Sequence, residues 1–335
     1  MYAKQQTYAF KETCSNLYDN LDFLSVKDDA DSTVSHQHFA SIHKHHVNMV
    51  QFGENSKTTT SQVLNEKSSP SNECPVIQAK WCSLGSLDVL VVVNHRGLLI
   101  YDSTGQFLMY WHNPKENNKP SFSPYCRGIA CAASKYICVG APNGVIVLSY
   151  SKNTFSINET LTGHTQAITA LSGVDCTANK VDFVSADDDG TICCFKSGNK
   201  FATVSCIPGS SDVCSSIKLV KEDLVISGYL SGHLRIFNAA SSTILCEIAA
   251  HVRAVSCLDC ANNSEEGSTV ISGSEDSFVR VWKVSTNNTI EVSHEWCASI
   301  ADSQVCGAKF IGKNDSTFAV TAYDSKDIIV YNKSH

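Results

Sequence analysis

The stretch SGSEDSFVRVW, residues 272–282, places two acidic side chains, Glu275 and Asp276, in a short gap ahead of an alternating apolar segment. Neighbouring carboxylates in such a gap could bind a metal ion, act as an acid–base pair, or hold a turn together by accepting hydrogen bonds. The first two roles would make the pair a functional site, and the third would make it part of the scaffold. The elements on either side decide between them.

The histidine-rich stretch 36–46, HQHFASIHKHH, is the most metal-like part of the chain. On a strand His36 and His38 share one face, as do His43 and His45, so two imidazole pairs could meet across a hairpin in tetrahedral zinc geometry. Zinc sites usually show a tighter spacing signature. We therefore interpret the stretch as the polar face of a weakly specified sheet and predict no metal site.

Two cysteine pairs and one acidic run have spacings that imitate known sites. Cys257 and Cys260 have CxxC spacing, but residues three apart on a strand point to opposite faces, so we expect no shared metal and no disulfide. The same holds for adjacent Cys193 and Cys194. The run DDDG at 187–190 resembles a calcium loop but would have lysine where the bidentate glutamate belongs. We predict a type I′ hairpin turn with Asp-Gly at its tip.

Composition narrows the function classes. The 335 residues are 43% hydrophobic and carry a net charge of −7, which argues against a partner with a phosphate backbone. The N-terminal MYAKQQTYAF shows no apolar signal segment, and the aliphatic run 89–93 is too short to span a bilayer. The sixteen cysteines lie mostly in apolar stretches, where thiols behave as small hydrophobes. We expect a reduced, cytoplasmic protein with no nucleic-acid partner and no membrane span.

Signatures of nucleotide-binding and hydrolytic sites are missing from the sequence. There is no GxxxxGK, no GxGxxG after a strand, no HExxH and no GxSxG. We predict that the protein is not an enzyme and has no cofactor.

A short polar turn followed by an alternating apolar strand recurs six times. The segments are NHRGLLIYD, APNGVIVLS, DDDGTICCF, YLSGHLRIF, SEDSFVRVW and YDSKDIIVY. Their fourth residues are spaced by 47, 46, 42, 45 and 49 residues and are Gly97, Gly144, Gly190, Gly232, Ser277 and Lys326. A period of 40-odd residues is typical of the blades of a β-propeller.

Each repeat contains about four strand-like segments, and no segment shows a sustained helical period. This pattern predicts an all-β fold, a seven-bladed β-propeller with four antiparallel strands per blade, forming one domain over 1–335. Six clear blades occupy 76–331, and residues 1–70 supply a degenerate first blade. We expect 52–75 to be a mobile polar loop. The segment QTYAFKE, residues 6–12, is predicted to close the ring as the outer strand of the last blade.

The repeats resemble those of the WD-repeat family. Gly163-His164 is similar to its Gly-His dipeptide, Ala250-His251 is a near match, and Trp282-Lys283 stands where a Trp-Asp pair would be. In that family a buried histidine, a serine, a turn aspartate and the tryptophan form a hydrogen-bonded chain. The resemblance implies one full set, His251, Ser272, Asp276 and Trp282, and one partial set, His164, Ser185 and Asp189, with Phe195 replacing the tryptophan. Asp276 then belongs to the architecture, and Glu275 is expected to face solvent.

The same resemblance implies a non-catalytic scaffold for protein–protein interaction. Because acidic residues gather on the turns of the fourth, sixth and seventh blades, we expect it to bind an extended segment with a basic stretch on the top face of the propeller. The residues expected there are His95, Arg96, Arg127, Asp187, Asp188, Tyr229, Arg253, Glu275, Tyr323 and Asp324. One alternative is an enzyme or small-ligand binder at the mouth of a central channel, using Lys80, Lys218, Asp259 and Lys309. Another is a homo-oligomer formed through an exposed edge of the first blade.

Overall fold

The computed structural model describes residues 1–27, 35–53, 60–64, 74–113, 125–174, 176, 178–263, 267–286, 289–300, 302–312 and 315–334. Within these ranges the regular structure consists of β-strands and one short 3-10 turn, Lys221–Asp223. The predicted all-β class is confirmed.

The described strands number twenty-eight and form seven four-stranded sheets, the blades of a β-propeller. In every blade the paired neighbours run antiparallel where their register is recorded, as in β11–β12 and β15–β16 of two successive blades. The predicted seven-bladed propeller is therefore confirmed. The chain contacts group into two compact units, one of residues 80–255 and one of residues 1–79 with 256–335.

The unit of residues 80–255 contains blades 2 to 5, apart from the first residues of β6. Blade 2 consists of β6 (Val76–Leu84), β7 (Leu87–Asn94), β8 (Leu98–Asp102) and β9 (Leu108–His112). Blade 3 consists of β10 (Ile129–Ala132), β11 (Tyr136–Ala141), β12 (Gly144–Ser151) and β13 (Thr154–Thr162). Blade 4 consists of β14 (Ile168–Gly173), β15 (Phe183–Asp187), β16 (Ile192–Lys196) and β17 (Ala202–Ile207). Blade 5 consists of β18 (Cys214–Leu219), β19 (Leu224–Tyr229), β20 (His233–Asn238) and β21 (Thr243–Ala249).

The other unit contains blades 1, 6 and 7. Blade 1 consists of β2 (Asp22–Lys27), β3 (Ser35–His43), β4 (His46–Gly53) and β5 (Thr60–Leu64). Blade 6 consists of β22 (Val255–Asn263), β23 (Gly267–Ser274), β24 (Phe278–Ser285) and β25 (Glu291–Ser299). Blade 7 consists of β26 (Val305–Phe310), β27 (Thr317–Ala322), β28 (Asp327–Lys333) and, from the other end of the chain, β1 (Tyr2–Ala9).

Burial follows the position of a strand within its blade. Every residue of β11, β15 and β19, the second strands of three successive blades, is buried. These strands have continuous runs of apolar and small residues because both of their faces are covered. The outer strands β21 and β25 alternate between exposed and half-buried residues, which matches their alternating sequences.

The N-terminal strand pairs with the last blade, as predicted. It is antiparallel to β28 in a register that runs from Tyr2 opposite Lys333 to Ala9 opposite Asp327. The strand spans 2–9, however, and not the predicted 6–12. The ring of Tyr2 is buried and lies 5.0 Å from that of Phe318, centroid to centroid, which anchors the strand at its very start.

The first blade also differs from its prediction in one place. Residues 60–64, expected within a mobile loop over 52–75, form β5 and pair with β4, with Val47 opposite Leu64. The pairing supplies hydrogen-bond partners for the outer edge of β4, which would otherwise be unpaired. Residues 54–59 and 65–73 of the predicted loop lie outside the described part of the chain.

Candidate interaction surface

A buried hydrogen-bonded cluster lies behind the turn between β15 and β16 of blade 4. Nδ1 of His164 lies 2.8 Å from Oδ2 of Asp187, and Nε2 of the same ring lies 2.6 Å from Oγ of Ser185. The side chains of His164 and Asp187 are each 1% exposed. A carboxylate and an imidazole that are both removed from water require such partners, because a buried polar group without a hydrogen bond is costly.

The carboxylate in this cluster is that of Asp187, and not that of Asp189 as the motif alignment predicted. Oδ1 of Asp187 also accepts hydrogen bonds from the backbone N–H groups of Asp189, at 3.1 Å, and Thr191, at 2.9 Å. One side chain therefore holds both the imidazole and the turn that follows β15. Asp187 is the last residue of its strand, where it reaches both groups, whereas Asp189 lies within the turn itself.

The turn also differs from the predicted type I′ form. The carbonyl of Asp187 accepts a hydrogen bond from Gly190 N at 2.9 Å, and Gly190 has a positive φ of 79°. Asp189 is not among the residues with positive φ, which a type I′ turn would require. The connection is therefore a three-residue turn with a left-handed glycine at its end. Blade 5 repeats it with Gly232, and blade 6 with Ser277 at φ 72°.

Blade 6 contains part of the set that the family resemblance implies. Nε1 of Trp282 donates to Oγ of Ser272 at 2.9 Å, with both residues buried. Oδ1 of Asp276 accepts from Phe278 N at 3.0 Å, and Asp276 N donates to Oγ of Ser274 at 3.1 Å. Asp276 thus stabilises its own turn, which is the scaffold role proposed for it. His251 is buried in the unit of residues 80–255, and its place in that chain stays a prediction.

Glu275 does not simply face solvent. It is half-buried, and its Oε1 accepts a hydrogen bond from the Tyr18 hydroxyl at 3.0 Å. The expectation of a solvated side chain was wrong because Tyr18, in the same unit, is distant in sequence and only the folded chain brings it near.

The predicted surface residues divide by exposure. His95, Asp188, Arg253, Tyr323 and Asp324 are exposed, and Arg96, Arg127 and Glu275 are half-buried. Asp187 and Tyr229 are each 1% exposed, so neither side chain is accessible to a partner.

Tyr229 instead supports blade 5. The guanidinium of Arg235 lies 4.1 Å from the centre of its ring, and burial raises the pKa of the Tyr229 hydroxyl. Arg235 is held in turn by Oε2 of Glu247 at 2.5 Å and by Oδ2 of Asp212 at 3.4 Å. The guanidinium of Arg235 therefore covers one face of the Tyr229 ring, and the ring is not accessible to a partner.

Two exposed apolar residues lie next to this network and were missed by the sequence reasoning. Val252 is 89% exposed and Leu230 is 38% exposed. The two loops meet, because His251 N donates to Gly232 O at 3.0 Å. The sequence gives no signal for either residue, because single apolar side chains in surface loops are common.

Backbone hydrogen bonds join the successive loops of this unit. Ser211 N donates to Asp189 O, and Leu230 N donates to Val213 O, each at 3.1 Å. We name the exposed residues of these joined loops the blade 4–5 loop surface, which consists of Asp188, Ser211, Leu230, Val252 and Arg253. It combines the apolar side chains of Leu230 and Val252 with the acidic group of Asp188 and the basic group of Arg253.

The titratable residues of the predicted inner strands are engaged with protein groups. Nζ of Lys309 lies 3.2 Å from Oδ1 of Asp22 and 3.6 Å from Oδ1 of Asp259. Burial lowers the pKa of Lys309, but Asp259 and Asp22 outweigh it and the net pKa is raised. The ammonium therefore stays charged at neutral pH. Nζ of Lys80 donates to Ile129 O at 3.0 Å, and Lys218 is half-buried.

Among the described residues, no group of three or more His, Cys, Asp or Glu side chains is arranged to hold a metal ion. Nδ1 of His43 lies 2.7 Å from Thr13 O, and the side chain of His36 lies outside the described part. In the same ranges no helix has the length and apolar character needed to cross a bilayer.

Comparison with known proteins agrees with this architecture. A family model described as WDR54 matches residues 1–333. A mouse protein named WD repeat-containing protein 54 is 32% identical over 98% of both chains, and a human protein of that name is 36% identical over 76% of this chain and 77% of its own. A chain from a structure titled "Crystal Structure of Mitotic Checkpoint Complex" superposes with a TM-score of 0.73 over 99% of this chain and 92% of that one, at 12% identity. The last likeness is one of fold.

Proposed function

Because the chain belongs to the WDR54 family of WD-repeat propellers, we propose that it is a non-catalytic scaffold that binds a segment of a partner protein on the blade 4–5 loop surface. Propellers of the WD-repeat type generally act as platforms for protein interaction. Fold alone does not assign a function, so the proposal depends on this particular surface.

The observation that carries the proposal is the exposure of Val252, at 89%, beside Leu230. Burying one aliphatic side chain of this size contributes about 1.5–3 kcal/mol. Val252 leaves nearly all of its side chain exposed and Leu230 more than a third, so burial of this remaining area is available to a partner. Apolar side chains at the centre of a patch, surrounded by polar groups, are the usual arrangement of an interface.

The loops beneath this surface are held in place before any partner arrives. Asp187 fixes the turn that carries Asp188, and Oδ2 of Asp212 accepts from Oγ of Ser231 at 2.6 Å in the turn that carries Leu230. A preorganised surface avoids part of the entropy cost of binding. The proposed partner segment inserts an apolar side chain against Val252 and Leu230.

The charged residues of the loop surface would orient the bound partner segment. Asp188 lies on the turn after β15, and Arg253 follows Val252 on the loop after β21. A basic residue of the partner would pair with Asp188, which fits the expected basic stretch and the net charge of −7. Such a pair at the rim affects association rate and salt dependence more than affinity.

The test is a binding measurement on the full chain with a co-purified partner, once that partner has been identified and produced. The double variant Leu230→Ser/Val252→Ser is expected to lose tenfold or more in affinity, about 1.4 kcal/mol or more. Ile244→Ser is the matched control, because Ile244 is 55% exposed on the outer strand β21 of the same unit. Equal losses in both variants, or none in the double variant, would refute the assignment of this surface.

Self-association is a second candidate function, favoured by the outer edge of blade 2. Phe107 is 72% exposed, and Leu108, Met109 and Trp111 of the adjoining β9 are also exposed. Within the described residues β9 is the outermost strand of its sheet. An apolar strand at the edge of a sheet is a template for pairing with another chain. Light scattering should detect oligomers in the wild-type protein and monomer in Phe107→Ser/Trp111→Ser. Monomer at high concentration in both would remove this candidate.

A further inference from the structure

Two cysteines of blade 4 lie side by side on neighbouring strands. Cys193 on β16 and Cys206 on β17 are direct cross-strand partners, and their Sγ atoms lie 2.9 Å apart. Side chains directly opposite in an antiparallel pair have Cβ atoms about 4.5–5.5 Å apart, next to the range that a disulfide spans. All sixteen cysteines of the chain are free thiols in this structure.

The two thiols differ in their access to solvent. Cys193 is buried, whereas Cys206 is exposed on the outer strand. Burial raises the pKa of the Cys193 thiol, and its contact with Cys206 raises it further. An oxidant in solution therefore meets Cys206 first, and Cys193 is protected until its neighbour has reacted.

We propose that Cys193 and Cys206 form a modification site for hydrogen peroxide, at which oxidation ends in a disulfide between β16 and β17. The Cys206 sulfur, as thiolate, attacks one peroxide oxygen; the O–O bond breaks, and the leaving hydroxide takes up a proton to become water. The Cys193 sulfur then attacks the Cys206 sulfenic acid. The S–O bond breaks, and the departing hydroxide removes the Cys193 proton as a second water. Each sulfur gives one electron, and one hydrogen peroxide is reduced.

The neighbouring Cys194 and the exposed Cys297 lack this arrangement. Adjacent Cys194 is equally buried but belongs to the apolar cluster on the other face of the blade, with Val184, as strand alternation requires. Cys297 is the other exposed cysteine, on β25 opposite Arg280, with no cysteine across from it. Cys297 is therefore an internal control for oxidation that finds no second thiol.

The experiment uses the full chain, reduced and then treated with hydrogen peroxide, alkylated and digested with trypsin without reduction. Cleavage after Lys180, Lys196, Lys200 and Lys218 places Cys193 in peptide 181–196 and Cys206 in peptide 201–218. We expect these peptides to become linked, with fragment ions that assign the bond to Cys193 and Cys206. Cys297 should carry only open oxidation products.

Three variants separate the outcomes. Cys194→Ser should keep the link, whereas Cys206→Ser should lose it and, because the site is exposed, leave the melting temperature of the reduced protein unchanged. In Cys193→Ser the Cys206 sulfenic acid should accumulate and be trapped by dimedone. Wild-type protein in which Cys206 stays as an open sulfenic acid, or in which the link joins Cys194, Cys214 or a second chain, would overturn the proposal.

Discussion

Asp187 offers the sharpest test of how the turn between β15 and β16 is built, because Asp189 in the same turn is a matched control. The two residues have the same side chain and lie two positions apart, so replacing either one removes the same charge from the same turn. Asp187 is buried and accepts hydrogen bonds from His164, Asp189 N and Thr191 N. Asp189 makes its hydrogen bonds through its backbone, since its N–H donates to Oδ1 of Asp187 and its carbonyl accepts from Ser211 N.

The expected cost follows from these three contacts. A hydrogen bond to a charged group contributes about 1.5–3 kcal/mol, and a buried group left without its partner costs about 1–3 kcal/mol. In Asp187→Ala the two turn amides are partly buried and recover some hydrogen bonding with water, whereas the His164 ring does not. We therefore expect a loss of about 3–5 kcal/mol in the free energy of unfolding, a large part of the 5–15 kcal/mol typical of a folded protein. Asp189→Ala should change it by about 0.5 kcal/mol or less.

Urea denaturation followed by tryptophan fluorescence and by far-UV circular dichroism measures both variants under the same conditions. The difference between their transition midpoints, and not either value alone, tests the assignment, because the two changes in net charge cancel. Equal destabilisation of the two variants, or a larger loss in Asp189→Ala, would show that Asp189 is the residue that holds His164, as the motif alignment implied. Asp187→Asn should lie between wild type and Asp187→Ala, since an amide oxygen still accepts from the turn.

Three further predictions concern other parts of the chain. Deleting residues 1–9 removes the outer strand of blade 7 and the buried Tyr2, so the melting temperature should fall markedly; an unchanged melt would contradict the role of β1. Burial raises the pKa of Asp182, but hydrogen bonds from Lys196 and Ser197 outweigh it and the net pKa is below 3.8. The stabilisation by ionised Asp182 is therefore complete above the pKa of this group in the unfolded chain, and it is lost as the pH falls through its pKa in the folded protein. Urea denaturation at decreasing pH below about pH 5 should show a smaller loss of unfolding free energy in Asp182→Asn than in wild type. Equal losses in the two proteins would contradict this role of Asp182. Ser277 adopts φ 72°, so Ser277→Gly should raise the free energy of unfolding by about 0.5–1 kcal/mol, and a decrease would contradict the strain argument.

The periodic part of the architecture was predictable from the sequence because its causes are local. A strand alternates or is continuously apolar according to which faces are covered, and each three-residue turn needs a residue that tolerates a left-handed conformation. The turn recurs with a left-handed residue at Gly190, Gly232 and Ser277. The six repeated turn segments, together with the strand-like first 70 residues, give the blade count. The pairing of the N-terminal strand with the last blade could be predicted because the last repeat lacked an outer strand. The bounds of that strand could not, because they depend on the packing of Tyr2 against aromatic side chains.

The details of the candidate surface were not predictable in the same way. Three consecutive aspartates are chemically equivalent in the sequence, and only the end of β15 decides that Asp187 points inward while Asp188 is exposed. Tyrosine is a common residue type in interfaces, but the ring of Tyr229 is covered by Arg235. Val252 is an ordinary loop valine until its exposure is known.

By itself the sequence determined the fold class, the number of blades and the family, because hydrophobic period and turn chemistry are properties of short segments. Tertiary structure decided which side chains meet. Cys193 and Cys206 are thirteen positions apart and become neighbours only through the register of β16 and β17, which shifts immediately after Cys194. Glu275 meets Tyr18 across 257 positions. Contacts of this kind depend on strand register and blade packing, which no local pattern encodes, and they are what defines the surface and the thiol pair.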